Sequence, residues 1–236
     1  YGVTQRGARF YEQVISEVRA LPGVKSAAYS SFLPMVMRGG IWPVTIPGRP
    51  EENDNKVSLR FITPGFFETL GIPLLRGRDV NRFDTEKAPA AAMVSESFAR
   101  THWPDKDPLG QVFNVTFQDR IVVGVVGDVR VRGLERESEP QVYLPYQQVA
   151  DGAVPFYAPK DLAIRSSLHA AFLVPRIREI IRRADPLVPI SDVKTLTDIV
   201  ELETSPRSAQ LRVLGAFAFI AILLAGIGIH GLLAFS

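Results

Sequence analysis

Apolar residues recur at helical spacing twice along the chain, once near its start and once late. The first stripe consists of Phe10, Val14, Ile15, Val18 and Leu21, within residues 7–21. The second consists of Val174, Ile177, Ile180, Ile181 and Ala184. Because an α-helix repeats about every 3.6 residues, each stripe predicts an amphipathic helix with one face turned to a core.

A chain breaker and an extended run follow each predicted helix. Pro22-Gly23 precede residues 24–33, and Asp185-Pro186 precede residues 187–193, so a strand is predicted after each break. Two further strands are predicted at residues 56–63 and 161–166. These elements favour two βαβ-type units that lie far apart in the sequence.

The middle of the chain has a different texture, with short β-rich runs separated by turn residues. Strands are predicted at residues 112–116, 120–126 and 141–144. A short helix is predicted at residues 95–101, with Ser95 as the N-cap that accepts a backbone N–H. The pattern therefore indicates an α+β fold in which a β-rich segment is inserted between two halves of a domain.

The pattern changes again in residues 213–236, which contain no Asp, Glu, Lys or Arg. As a helix this stretch would be about 36 Å long, against a hydrocarbon core of about 30 Å. A buried globular helix is the alternative, but such helices are usually shorter and carry a charged face. We predict a transmembrane helix at residues 207–236, in which the small residues Ala221 and Ala225 favour packing against other spans.

Composition narrows the classes of function. The 27 Lys and Arg residues against 25 Asp and Glu residues give a net charge of +2, which is too balanced for a nucleic-acid-binding surface. The densest basic group is Arg176, Arg178, Arg182 and Arg183, which is typical of the solvated face of a helix. The chain has no cysteine, which excludes disulfides, thiolate catalysis and zinc sites built from Cys.

Candidate catalytic and metal-binding residues are few. The histidines are His102, His169 and His230, and none has a second histidine three or four residues away, which argues against a zinc site. One crowded group invites a catalytic triad: Ser95, Ser97, His102, Asp105 and Asp107. No Gly-x-Ser-x-Gly elbow is present, so we interpret this group as a helix cap, a surface histidine and a turn. We therefore predict no catalytic, cofactor-binding or metal-binding residues.

Two nucleotide-binding motifs can be set aside. Gly226 to Gly231 have the spacing of a dinucleotide-binding glycine loop, but they lie inside the apolar run and not between a strand and a soluble helix. No Gly-x-x-x-x-Gly-Lys-[Ser/Thr] sequence occurs, so the chain has no P-loop with which to hydrolyse ATP.

A longer motif covers residues 61–79, which read FITPGFFETLGIPLLRGRD. It resembles the signature of the periplasmic core domain in MacB-like and FtsX-like ABC transporter permeases. Further matches follow in the family's order at residues 94–99, 103–104, 107–110, 123–130 and 142–146. Residues 224–234 resemble the family's second membrane helix, in which Tyr is commoner than His at position 230.

The resemblance implies a split arrangement. A porter-like α+β domain would consist of residues 1–70 and 141–206, a β-rich subdomain of residues 71–140 would be inserted into it, and residues 207–236 would begin a truncated membrane domain. The soluble part would lie outside the bacterial inner membrane, between the first and second of four membrane helices. The implied partners are a second permease copy in a homodimer or pseudo-dimer, a cytoplasmic ABC ATPase and, in some relatives, a periplasmic adaptor protein. No cofactor is implied.

By the same resemblance, the function would be mechanical. A non-catalytic extracytoplasmic domain would couple ATP-driven motion of membrane helices to substrate efflux or to other extracytoplasmic work. The alternative is a ligand sensor domain anchored by a single span, which the number of spans in the complete protein would distinguish. A membrane-anchored hydrolase is a third reading, and the missing nucleophile–base pattern gives it little support.

Several signature residues have structural roles that can be predicted independently. Gly71 and Gly77 suit turns at which a side chain would clash. Pro64 is a good first helical residue, and three apolar residues after it would anchor a short helix to the core: Phe66, Phe67 and Leu70. The turn would be tied to neighbouring backbone by Arg76, Arg78 and Asp79.

Overall fold

The computed structural model describes residues 5–36, 40–49, 56–131, 138–148, 158–201, 214–222 and 224–226. The chain forms two compact units, residues 1–193 and residues 194–236.

The first unit is built on a mixed sheet of nine strands. The strands are β1 (Val24–Ser30), β2 (Gly40–Pro43), β3 (Lys56–Ile62), β4 (Leu74–Gly77), β5 (Ala91–Ser95), β6 (Val112–Val115), β7 (Gln118–Val126), β8 (Gln141–Pro145) and β9 (Asp161–Ser166). The helices are α1 (Gln5–Arg19), α2 (Phe66–Leu70), α3 (Glu96–His102) and α4 (Ala170–Ala184), and a 3₁₀ turn covers Tyr146–Gln148. This mixture of a large sheet with helices confirms the predicted α+β class.

A single sheet contains strands from the β-rich middle of the chain and strands from the regions on either side of it. Its order is β4-β7-β5-β8-β3-β1-β9, while β2 pairs with β3 and β6 pairs with β7. The pairs β3–β8 and β5–β7 are parallel, and the other pairs are antiparallel. Strand β5 joins β8 through Met93↔Tyr143 and Val94↔Val142, so residues from the middle of the chain lie at the centre of the sheet.

Alternation along the central strands divides the core between the two faces of the sheet. On β8, Val142 and Leu144 belong to a cluster that includes residues of α1 and α4, whereas Tyr143 belongs to a second cluster with α2. Because successive side chains of a strand point to opposite faces, α1 and α4 lie on one face and α2 lies on the other.

Both predicted amphipathic helices are confirmed, as α1 and α4. Val18 of α1 and Ile180 and Ile181 of α4 are buried in the same core cluster. The prediction of a solvated arginine face on α4 also holds, because the helix is exposed on that side. Arg183 on this face binds Glu17 of α1 at 2.6 Å, which ties the two helices at the surface.

Most of the predicted strands form, and one does not. The runs predicted at 24–33, 56–63, 112–116, 120–126, 141–144 and 161–166 appear as β1, β3, β6, β7, β8 and β9. The strand predicted at residues 187–193 is wrong, since that segment has turn and irregular backbone. The Asp185 carboxylate accepts the Leu187 N–H at 2.8 Å, which makes a turn, and Pro189 has no N–H for a ladder. Val188 nevertheless packs partly against the core, whereas Leu187 and Val193 are exposed, so the apolar pattern does not mark a buried strand.

Three strands had no clear sequence signal: β2, β4 and β5. Strand β5 reads AAMVS and is buried along its whole length. Alanine is depleted in strands, so the residue preferences of this segment do not predict a strand. Its central position in the sheet depends on packing against both faces.

The second unit contains helical residues at 196–201, 214–222 and 224–226, and the side chains of 214–222 are exposed. Within the part of the chain that the structure describes, no helix has both the length and the apolar character needed to cross a membrane. The predicted transmembrane helix at residues 207–236 falls partly on residues 207–213, 223 and 227–236, which lie outside the described residues, as does His230.

Candidate functional site

The signature segment, residues 61–79, runs from the end of β3 through α2 and β4 into the turn that follows. Phe66 and Phe67 of α2 are buried, and the Phe67 ring meets the Tyr143 ring edge-on at 4.9 Å between centroids. Leu70 is half-buried against the same cluster, which confirms the predicted anchoring of a short helix. The helix begins at Phe66 and not at Pro64, because Gly65 takes the N-cap position with a φ of 86°.

Both glycines predicted to lie in turns do so. Gly71 is the C-cap of α2 with a φ of 71°, and Gly77 closes β4 with a φ of 73°. A Cβ atom on Gly77 would lie 2.3 Å from the Val123 carbonyl oxygen, so only glycine allows β4 to approach β7 this closely.

The turn after β4 is held by an ion pair that the sequence did not reveal. Arg78 donates from Nη1 and Nη2 to the two carboxylate oxygens of Asp84, at 2.8 and 2.7 Å. Asp84 is buried, and its Oδ2 also accepts the Asn81 N–H at 2.8 Å. Arg78 additionally bonds the Asp79 carbonyl oxygen at 3.0 Å, which confirms the predicted link to backbone. A bidentate pair of this kind fixes geometry as well as charge.

Asp79 connects this turn to the start of α2. Its Oδ1 accepts the Val80 N–H at 2.6 Å, and its carboxylate also accepts the N–H of Gly65. Burial raises the pKa of Asp79 to about 6 in spite of these two bonds, and the carboxylates of Asp84 and Glu68 raise it further.

Arg76 contributes little to the turn. It lies 3.9 Å from Asp107, and both side chains are largely exposed. An exposed pair at that distance adds little stability, so the predicted role of Arg76 is much weaker than that of Arg78.

Two arginines from outside the signature reach it. Arg19, the last residue of α1, donates from Nη2 to the Ala27 carbonyl at 2.8 Å and to the Pro64 carbonyl at 3.1 Å. Arg165 of β9 donates from Nε to the Thr69 carbonyl at 3.0 Å. Neither residue was predicted, since the contacts join parts of the chain that are far apart in sequence.

A buried polar network lies beside the signature, across β3 and β8. Arg60 is fully buried and donates from Nε to the Phe32 carbonyl at 3.0 Å, and from Nη1 to Ser58 at 3.0 Å and Gln141 at 3.2 Å. The Gln141 Oε1 also accepts the Tyr143 hydroxyl at 2.7 Å. Burial lowers the pKa of Arg60. Arg60 thus bonds to neutral oxygen acceptors on both β3 and β8, and these bonds fix the register of the two parallel strands.

The group of Ser, His and Asp residues that resembles a catalytic triad is not joined by hydrogen bonds from Ser95 to His102 among the described residues. Ser95 caps α3 by accepting the Phe98 N–H at 3.3 Å, as predicted, and it also accepts the Gln141 N–H at 3.0 Å. Its hydroxyl lies 2.9 Å from that of Ser97. Among the described residues, the hydrogen bonds of Ser95 thus run to the sheet and to α3 itself, and none runs to His102.

His102 and Asp107 of that group, and His169 outside it, have structural positions. The prediction that His102 lies on the surface is wrong: it is only 4% exposed and stacks on Phe98 with 4.4 Å between ring centroids. Burial lowers the pKa of His102 to about 4, and the charge of Arg49 lowers it further. Asp107 accepts the Leu109 N–H at 3.0 Å, which confirms the turn. His169 caps α4 by accepting the Ala171 N–H at 3.4 Å.

An open cleft of about 470 Å³ lies between the loop after β2 and the start of β6. Its lining includes Arg49, Trp103, Asp105, Lys106 and Gln111. Among the described residues, no group of three or more His, Cys, Asp and Glu side chains lies close enough to hold a metal ion.

Comparison with known proteins agrees with this architecture. The structure is similar to the periplasmic region of MacB from Actinobacillus actinomycetemcomitans, with a TM-score of 0.53, 14% identity and 73% of each chain covered. The extracellular domain of the noncanonic ABC-type transporter YknZ from Gram-positive bacteria gives a TM-score of 0.48 at 18% identity, covering 75% of this chain and 81% of that one. A domain of a putative permease from Porphyromonas gingivalis gives 0.49 at 17% identity, covering 78% and 86%. The likeness of fold rests on the first of these.

The chain matches no curated protein in sequence. The family model for the MacB-like periplasmic core domain matches residues 2–185, which is most of the chain and includes the whole signature. The chain therefore belongs to the family of MacB-like periplasmic core domains, which are parts of ABC transporter permeases.

Proposed function

We propose that this chain is the extracytoplasmic part of an ABC transporter permease and that it transmits motion without catalysing a reaction. Membership of the MacB-like periplasmic core domain family carries the proposal, because domains of this family are periplasmic parts of membrane transporters. The motion transmitted would be that of membrane helices driven by a cytoplasmic ATPase, and the work done would be efflux or another extracytoplasmic task.

The packing of the first unit supports a mechanical role. Helices α1 and α4 share one core cluster beneath a continuous sheet, and Arg183 joins Glu17 across them at 2.6 Å. Close-packed interiors are hardly compressible and transmit strain. A displacement applied to α1 would therefore be carried into the sheet and to α4 without being absorbed by soft contacts.

The surroundings of the domain follow from the same proposal. Residues 207–236 would form a membrane helix, and the domain would lie outside the bacterial inner membrane. The permease would act as a homodimer or pseudo-dimer with its ATPase, and a periplasmic adaptor protein is a further candidate partner. The division into a porter-like part, residues 1–70 and 141–206, and an inserted part, residues 71–140, belongs to this proposal too.

The positions of Ser95 and His102, two residues of the group that resembles a catalytic triad, also support a non-catalytic role. Ser95 is engaged as a helix cap, and His102 is packed against an aromatic ring. A general base needs to reach its nucleophile and substrate, and a histidine that is 4% exposed with a pKa near 4 is a poor one.

The test is ATP turnover by the full-length permease with its ATPase in lipid discs. We expect deletion of residues 40–200 to uncouple or change turnover compared with the intact protein. A variant that cannot hydrolyse ATP, measured in parallel, sets the background.

The opposite result would favour the sensor. If no ATPase associates with the permease and turnover is untouched by the deletion, transport coupling is wrong. The domain should then be tested for ligand binding as a sensor anchored by a single span.

A further inference from the structure

The two ends of α2 are glycines, and each lies directly beneath an arginine from another element. A Cβ atom on Gly65 would lie 2.5 Å from Nη2 of Arg19, and a Cβ atom on Gly71 would lie 2.7 Å from Nη2 of Arg165. Both glycines have positive φ angles, 86° and 71°. The absence of a side chain at each end thus gives a guanidinium group room to lie against the backbone.

Arg19 fills a gap in the sheet. Strands β1 and β3 pair at Ser30↔Ile62. Beyond this point the Thr63 side chain accepts the Tyr29 N–H at 2.8 Å in place of a ladder carbonyl. One step further, Arg19 bridges the Ala27 and Pro64 carbonyls, at 2.8 and 3.1 Å. The guanidinium therefore acts as an additional rung that joins the end of α1 to the start of α2.

Arg165 makes the equivalent link at the other end of α2. It lies on β9, the last strand of the sheet, and bonds the carbonyl of Thr69 at 3.0 Å. Besides the bond between the Gly65 N–H and Asp79, α2 is attached to the sheet by apolar packing of Phe66 and Phe67. Apolar contacts are non-directional, whereas hydrogen bonds from a planar guanidinium fix an orientation.

We propose that Arg19 and Arg165 are positioning residues that form a two-point clamp on α2, and that Gly65 and Gly71 are required to seat them. The clamp makes α2 move as one body with α1 and β9. This inference rests on the proposed function, since it names the route by which motion of α1 would reach the signature segment.

The first test separates the clamp from the cost of a positive φ. Gly48 has a φ of 79° with nothing within 4 Å of its hypothetical Cβ, so Gly48→Ala measures backbone strain alone. We expect Gly65→Ala to raise the unfolding equilibrium constant roughly fivefold more than Gly48→Ala, because it also displaces Arg19 from two carbonyls. In an Arg19→Gln background this excess should vanish. Equal effects of the two alanine substitutions in both backgrounds would overturn the clamp at Gly65.

The second test uses hydrogen exchange of α2 in the intact chain. The Thr69, Gly71 and Ile72 amides bond within and just after this helix. We expect Arg19→Gln with Arg165→Gln to speed their exchange roughly tenfold more than that of the amides of β5 and β8, which follow only the change in global stability. Arg176→Gln, an exposed arginine on α4, is the matched control and should change neither. Unchanged exchange in α2 would refute the clamp.

The third test asks whether the clamp matters for coupling. In the full-length permease, the double variant should change ATP turnover in the direction of the 40–200 deletion, and Arg176→Gln should not. If the deletion has no effect, the proposed function fails, while the exchange result still decides the clamp. If the deletion acts and the double variant speeds exchange without changing turnover, the clamp is only structural and its coupling role is wrong.

Discussion

Two regions of the molecule use arginine in opposite ways. At α2, the exposed Arg19 and Arg165 reach over the surface to backbone carbonyls and position one short helix. Inside the sheet, Arg60 and Arg120 are 0% and 1% exposed and bond to neutral oxygens. Burial lowers the pKa of both, that of Arg120 to about 10. We therefore expect loss of the exposed pair to cost less folding free energy than loss of the buried pair, which is part of the core.

The largest effect should come from Arg60→Ala. The change leaves a void and removes the donor for Phe32, Ser58 and Gln141, all of which are bonded to it in the interior. We expect a loss of about 3 kcal/mol in the free energy of unfolding, measured by urea denaturation. A loss below about 1 kcal/mol would show that the network is solvated and that Arg60 is not part of the core.

Arg60→Met is the control for volume. Among the described residues, Nη2 of Arg60 has no hydrogen-bond partner, so a long apolar side chain would remove an unsatisfied donor while filling the space. We expect its loss to be about half that of the alanine variant. Equal losses would mean that the hydrogen bonds, and not packing, dominate.

Arg120→Ala should cost less than Arg60→Ala. Its bonds to the Ala91 and Gln148 carbonyls are long, at 3.3 and 3.4 Å, while that to Gln118 is 3.0 Å, and its Nε has no hydrogen-bond partner within the described part of the chain. We expect a loss of about 2 kcal/mol in the same denaturation assay. A larger loss than at Arg60 would reverse the ranking of the two networks.

The pH dependence of stability should contain two opposing contributions. The pKa of His102 falls from 6.5 to about 4 on folding, so its contribution to stability is present above pH 6.5 and is lost as the pH falls toward 4. The pKa of Asp79 rises from 3.8 to about 6, so its contribution is present below pH 3.8 and is lost as the pH rises through 6.

Single substitutions should separate these contributions. Between pH 4 and pH 6.5, Asp79→Asn should make acidification more destabilising than in the wild type, and His102→Gln should make it less so. The urea midpoint at several pH values measures both. Parallel pH profiles for all three proteins would show that neither group titrates differently on folding.

The smallest effect on global stability should come from Arg165→Gln. An exposed hydrogen bond to one carbonyl contributes about 0.5 kcal/mol, so the urea midpoint should hardly move while exchange in α2 quickens. A loss as large as that of Arg120→Ala would place Arg165 with the buried arginines and remove the distinction between the regions.

The sequence predicts the parts of this fold that local pattern controls. The apolar stripes of α1 and α4 have the helical period, and Ser95 has the chemistry of an N-cap. The structure confirms both helices and the cap. Strand β5 was not predicted, because its alanines do not favour a strand and its place at the centre of the sheet is decided by packing. Residues 187–193 mislead for the converse reason, since Val188 and Ile190 pack partly against the core without a ladder partner, while Leu187 and Val193 are exposed.

The candidate site was predictable only as far as a motif runs along the chain. Gly71 and Gly77 could be assigned to turns because glycine has few other uses there. Arg19 and Arg165 could not be found, since they reach the signature from 45 and 96 residues away along the sequence. His102 looks like a surface histidine until Phe98 and its neighbours fold over it.

The most direct test of the clamp is a distance measurement in the full-length permease. These 236 residues contain no cysteine, so once any cysteines elsewhere in the permease are replaced, spin labels can be placed at Ser16→Cys on α1 and Glu68→Cys on α2, two exposed positions. We predict a narrow distance distribution that stays the same with and without ATP and broadens when Arg19 and Arg165 are replaced by glutamine. A distance that changes with ATP in the otherwise unaltered protein would contradict the clamp, because α1 and α2 would then move independently.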